Sequence, residues 1–178
     1  MKKISLIGAG NIGTILAYNI SKKKLGEIVL VDVVDGLAEG KCLDLLQSFS
    51  IEKIDLKVEG TKDISKIKNS DVIIITAGIA RKPGMSRDDL IETNFSIMSK
   101  LGSNIKKYSP NAFVICVTNP LDAMTWCLKE IANLKKNKII GMAGVLDSAR
   151  FKFFLSQKIG VSVDNIQTMV LGGHGDTM

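Results

Sequence analysis

One histidine occurs in the 178 residues, His174, set in Gly172-Gly173-His174-Gly175-Asp176. An imidazole can give or take a proton near neutral pH, and flanking glycines let another molecule approach it closely. A lone histidine is as readily a packing residue, so chemistry needs further groups beside it. Asp147 and Arg150 are separated by one helical turn, a spacing that suits a local ion pair as well as a working site. Arg81 and Arg87 lie in the polar stretch 78–89, where Gly84 permits motion. Their planar guanidinium groups match carboxylates. The stretch reads either as a loop that closes over a small anion or as a solvated crossover. Asn119 follows an apolar run directly and offers its amide to a ligand oxygen, or simply begins an Asn-Pro turn before Asp122 near a helix start.

A second set of residues sits at the front of the chain. Gly8-Ala9-Gly10-Asn11-Ile12-Gly13 follows a short apolar run and opens a helical pattern. In such a turn Gly8 makes the tight bend, Gly10 lets backbone approach a pyrophosphate, and Gly13 lets helix and strand pack closely. The N–H groups of the helix start then receive phosphates. Asp32 ends the second apolar run, where a carboxylate can accept from ribose hydroxyls and would repel a 2′-phosphate. The combination favours NAD over NADP. A loop acid or helix cap is the plainer account of Asp32, and Asp35, beside Gly36, competes for the ribose role.

Alternating elements must position both sets. Strands are expected at 4–7, 28–31, 72–75, 112–117, 138–142 and 166–171, with a weak candidate at 56–58. Helical patterns run over 12–20, 37–49, 90–108, 121–134 and 146–159. Leu37, Cys42, Leu45, Leu46 and Phe49 fall roughly on one face, and Trp126 and Leu128 read as packing residues. The strands are nearly continuous apolar runs, as in a parallel sheet covered by helices on both faces. The fold class is therefore α/β, a Rossmann-type doubly wound parallel sheet.

Composition narrows the function classes. Hydrophobic residues make up 46% and charged residues 24%, with a mean hydropathy of +0.20, which suits a globular chain rather than a disordered one. No apolar run is long enough to span a membrane. The net charge of +6 comes from lysines in short runs, mostly at ends of helical patterns, without finger spacing or aromatic ladders. Neither nucleic acid nor membrane is expected as a partner, and no metal site is indicated. Cys42, Cys116 and Cys127 read as reduced thiols of a cytoplasmic protein.

Taken together, the segments resemble the malate and lactate dehydrogenase family, and most of all its NAD-dependent malate branch built on the lactate-dehydrogenase plan. The likeness rests on the glycine turn at 8–13, Thr76-Ala77-Gly78, the run from Arg81 to Arg87, and Val117-Thr118-Asn119-Pro120. It continues through Gly144 to Arg150 and Gly172 to Asp176. The resemblance implies reversible hydride transfer between malate and oxaloacetate, with lactate or another 2-hydroxy acid as the alternative. It makes His174 the acid/base, Asp147 its partner, and Arg87 the group that polarises the substrate carbonyl. It places Arg150, Arg81 and Asn119 on the substrate. Arg81 would pair with a second carboxylate where the lactate branch typically carries Gln. Around NAD it places Gly8, Gly10, Asn11, Ile12, Gly13, Asp32, Thr76, Ala77, Gly78, Asn94, Val117 and Asn119.

The same likeness divides the chain into an NAD-binding domain over 1–144 and, over 145–178, the start of an α+β substrate domain. The family extends further, so this sequence reads as a fragment of a longer enzyme. The longer form is expected to be a homodimer or homotetramer. A 178-residue chain by itself is expected to bind NAD with little or no turnover, a third possibility being an NAD-binding product without activity.

Overall fold

The structure, a computed structural model, describes residues 1–80, 83–175 and 178, without the side chain of Arg87. The strands are β1 (Lys3–Ile7), β2 (Glu27–Val31), β3 (Val58–Thr61), β4 (Val72–Ile75), β5 (Phe113–Cys116) and β6 (Ile139–Gly141). The α-helices are α1 (Asn11–Lys22), α2 (Leu37–Glu52), α3 (Arg87–Tyr108), α4 (Leu121–Ala132) and α5 (Gly144–Ile159). All six strands pair in parallel in the order β3-β2-β1-β4-β5-β6. The order reverses between β1 and β4. A crevice outside the carboxyl ends of those two strands is where open sheets of this kind take ligands.

The central strands alternate their apolar residues between two cores. Ile4, Leu6, Ile28, Leu30 and Ile74 pack in one cluster with Ala17, Ile20, Cys42, Leu45 and Phe49 of α1 and α2. Ile7, Val29, Val31, Ile73, Ile75 and Val114 pack in the other with Met98, Ile105, Met124 and Leu128 of α3 and α4. Two covered faces explain why the strands read as apolar throughout.

Several expectations need correction. The segment 166–171 forms no strand: none of the described residues pairs with it. A strand needs a neighbour for its backbone groups. Here the Thr168 hydroxyl donates to the Ser148 carbonyl and Val170 N–H to the Ser148 hydroxyl, while Met169 and Leu171 stand exposed. Trp126 is exposed too, on the side of α4 away from the buried Met124, Cys127 and Leu128. Leu46 faces outward in the same way on α2. The weak strand shifts to Val58–Thr61, because pairing with β2, and not β propensity, sets its register. Helix α3 begins earlier than its apolar pattern. The Ser86 hydroxyl accepts from Asp89 N–H and the Asp89 carboxylate accepts from Ser86 N–H, a reciprocal cap. No described helix is long and apolar enough to cross a membrane.

Candidate active site

The glycine turn joins β1 to α1 at the carboxyl edge of the sheet. Gly8 has φ +110°, a conformation side chains resist, and its N–H donates to the Val31 carbonyl at 2.8 Å. A Cβ on Gly13 would lie 1.8 Å from the Gly8 carbonyl oxygen, so helix and turn meet only because Gly13 has none. Around Gly10, by contrast, the space that a Cβ would enter is open to 4 Å. Gly10 caps α1 without a side-chain bond, and the first turn holds no acid. The free N–H groups of that turn therefore face an open, uncontested anion site. These residues fit a dinucleotide pyrophosphate.

Asp32 stands half-buried beside the turn. Its Oδ2 accepts from Ala9 N–H at 2.7 Å and its Oδ1 from Val34 N–H at 2.9 Å. The carboxylate ties the glycine turn to the end of β2, and each oxygen retains capacity for a ribose hydroxyl. Thr76 braces the same turn: its hydroxyl lies 3.2 Å from the Gly8 carbonyl and 3.3 Å from that of Ile7. Ile12 stands exposed on α1.

The exits of β4 and β5 are stitched together. Thr118 donates its hydroxyl to the Ala77 carbonyl at 2.7 Å. Asn94 of α3 is fully buried. Its Oδ1 accepts from Ile79 N–H, and its Nδ2 donates to the carbonyls of Ile79 and Asn119. Those bonds tie the loops after β4 and β5 together. Val117 N–H continues the pairing to Ile75, and the Asn119 side chain beyond it is exposed at the carboxyl end of β5.

His174 reaches this same edge from the far end of the chain. Its Nδ1 lies 3.0 Å from Asp147 Oδ2, and the side chains are 25% and 8% exposed. Asp147 comes from the first turn of α5. Its other oxygen, Oδ1, meets Arg150 Nη1 at 3.4 Å across one turn of helix. The carboxylate thus sits between an imidazole and a guanidinium. Arg150 is mostly exposed and presents its remaining donors outward. A carboxylate against Nδ1 selects the tautomer with its proton there, leaving Nε2 to exchange protons with a ligand.

Sequence reasoning did not assign Asp122. Its Oδ2 accepts the His174 backbone N–H at 3.0 Å. An acid in the first turn of a helix reads as a response to the helix dipole, and nothing in the local sequence links it to His174. Arg81 and the side chain of Arg87, the two expected anion-binding groups, lie outside the described residues. Among those described, no group of His, Cys, Asp and Glu could hold a metal ion.

Residues 2–141 match the NAD binding domain of lactate/malate dehydrogenase, and residues 144–178 match the alpha/beta C-terminal domain of the same enzymes. The chain belongs to the lactate/malate dehydrogenase family. Its cofactor is accordingly NAD. Solved structures of the family superpose closely. Malate dehydrogenase of Cryptosporidium parvum is 47% identical with a TM-score of 0.94, over 98% of this chain and 56% of that one. Malate dehydrogenase of Picrophilus torridus in its apo form is 45% identical, TM-score 0.93, over 98% and 56%. Lactate dehydrogenase of Cryptosporidium parvum, complexed with lactic acid and nicotinamide adenine dinucleotide, is 44% identical, TM-score 0.93, over 98% and 55%. The chain spans little more than half the length of these relatives.

Proposed function

We propose that this chain carries the cofactor site and acid–base pair of an NAD-dependent 2-hydroxy-acid dehydrogenase. The observation that carries the reading is the His174–Asp147 contact at 3.0 Å, joined through Asp122 to the sheet edge that holds the glycine turn. NAD, when bound, supplies the acceptor or donor of hydride. The glycine turn, the start of α1 and Asp32 would hold it. His174 takes the hydroxyl proton at Nε2 as the alcohol becomes a carbonyl, and returns it in the reverse direction. Asp147 keeps the ring in the required tautomer and balances the imidazolium. Arg150 binds the substrate carboxylate, and Arg87 stabilises charge developing on the carbonyl oxygen.

Relatives of both kinds match at nearly the same identity, which supports the 2-hydroxy-acid class without selecting malate or lactate. The malate reading rests on Arg81, whose positive charge would pair with a second carboxylate and would be left unpaired by pyruvate. The three cysteines are free and buried, which agrees with a cytoplasmic location. The test is NADH oxidation by the protein isolated from its source, with oxaloacetate and with pyruvate. Faster turnover of oxaloacetate, reversed by Arg81→Gln, supports malate. A pyruvate rate at least equal to that of oxaloacetate supports lactate, and turnover of neither would defeat the dehydrogenase reading.

A further inference from the structure

We infer that Asp122 is a positioning residue that fixes the acid–base histidine to the cofactor domain. The inference deepens the dehydrogenase reading and rests on it for the role of His174. Three anchors hold the segment that carries His174. Upstream, Thr168 and Val170 bond to Ser148 of α5. The ring bonds to Asp147, also of α5. Of these three anchors among the described residues, the third is the one that reaches across to the sheet domain, where Asp122 Oδ2 accepts the His174 N–H at 3.0 Å. Without it, the segment carrying His174 would be held only by bonds to α5, whose own start is fixed to the sheet domain through Ala143.

The surroundings are arranged for this bond. Gly172 has φ +119°, and Gly173 passes so close that a Cβ on it would lie 3.3 Å from Asp122 Oδ2. The backbone thus turns at Gly172, and the His174 N–H is presented to the carboxylate. Asp122 in turn sits on the first turn of α4, three residues after Asn119, and Asn94 clamps the Asn119 carbonyl at 2.7 Å. Acid–base work needs its group placed to about half an ångström. A charge-assisted bond from the start of a helix supplies such placement. The plainer account is that Asp122 only complements the dipole of α4. The two differ in what Asn would do at this position, since Asn keeps an acceptor oxygen and loses the charge.

The single histidine makes the test direct. In the 178-residue chain labelled with ¹⁵N-histidine, the imidazole nitrogens give one pair of resonances, read for the unmodified protein and for D147A, D122A and D122N. Positioning requires that D122A move toward the D147A pattern while D122N stays at the unmodified one. If D122A overlays the unmodified spectrum, or D122N moves with D122A, the inference is overturned and the dehydrogenase reading is untouched. If D147A leaves the spectrum unchanged, the ring pair itself is absent and both fall. Should D122A fail to fold, hydrogen exchange in the unmodified chain decides. A His174 amide exchanging about tenfold or more slowly than an open one supports the bond, and exchange at the open rate overturns it.

Discussion

Residues up to Ala143 and residues from Gly144 onward are built on opposite principles. In the first region the buried side chains are mostly apolar, with a few polar ones such as Ser5, Ser70 and Asn94 among them, and two continuous cores sandwich the sheet. In α5 the buried residues are Asp147 and Ser156, while Val145, Phe151, Phe153, Phe154 and Ile159 face outward. What holds the second region is a set of hydrogen bonds: Ser148 to 168 and 170, Ser156 to the Val161 carbonyl, and Asp147 and Asp122 to His174. The first region is a scaffold that packs two cores of its own against the sheet. The second is a polar constellation held against it, with its apolar face uncovered.

The largest effect should come from testing that scaffold at its tightest point. Gly13→Val drives a side chain into the Gly8 carbonyl, 1.8 Å from the added Cβ, and should abolish NADH binding and lower the melting temperature by many degrees. Gly10→Val enters open space, so the fold should survive with NADH affinity falling about a hundredfold or more, because the bulk occupies the pyrophosphate's approach. NADH fluorescence titration with a parallel thermal melt separates the two. Equal melting losses would break the distinction between a packing glycine and a ligand-facing one.

The second region should fail in the reverse way. His174→Asn should remove nearly all turnover in the full enzyme, a loss of about a hundredfold or more, with NADH affinity and melting temperature almost unchanged. A stability loss as large as that of Gly13→Val would show that the histidine serves the core instead.

How far this division was legible in the sequence follows from its physics. The scaffold's rules are local: Ile4 to Ile7, Ile28 to Val31 and Val72 to Ile75 announce buried strands, and the glycine turn announces the helix start. The strand expected at 166–171 failed because an apolar run records willingness to pair, not the presence of a neighbour. Trp126 misled for a related reason, since hydrophobicity does not say which side of a helix is covered. Family resemblance grouped His174 with Asp147, and the structure places them in contact. Asp122 was invisible because its role depends on a residue 52 positions away meeting its Oδ2. The bonds of the Asn94 amide to Ile79 and Asn119 were not legible either, because they depend on two loops meeting α3.

A smaller effect sharpens the comparison at matched chemistry. Phe49 is 2% exposed in the α1–α2 core, and Phe154 is 67% exposed on α5. Phe49→Ala should cost about 3–5 kcal/mol. Phe154→Ala should fall within about 0.5 kcal/mol, as surface changes do. Urea melts would read both, and a large cost at Phe154 would mean that α5 is covered in solution by something the chain itself supplies.

The smallest effect uses the cysteines, all three of which lie in the first region and are buried. Burial raises the Cys42 thiol to about 11, with Glu39 and Glu59 adding to it, so in the fold it stays protonated at pH 8. Iodoacetamide at that pH should leave it unmodified while the segment beyond Gly144 opens and closes, and should react only when the scaffold itself opens. The sign of the pH dependence follows from the raised value. The thiol's contribution to stability is intact below its ordinary value of 9.0 and is lost as pH rises from there through about 11. Alkylation at pH 8 that tracks exchange of the α5 amides would show the two regions unfolding as one, and the separation argued from their burial would not hold.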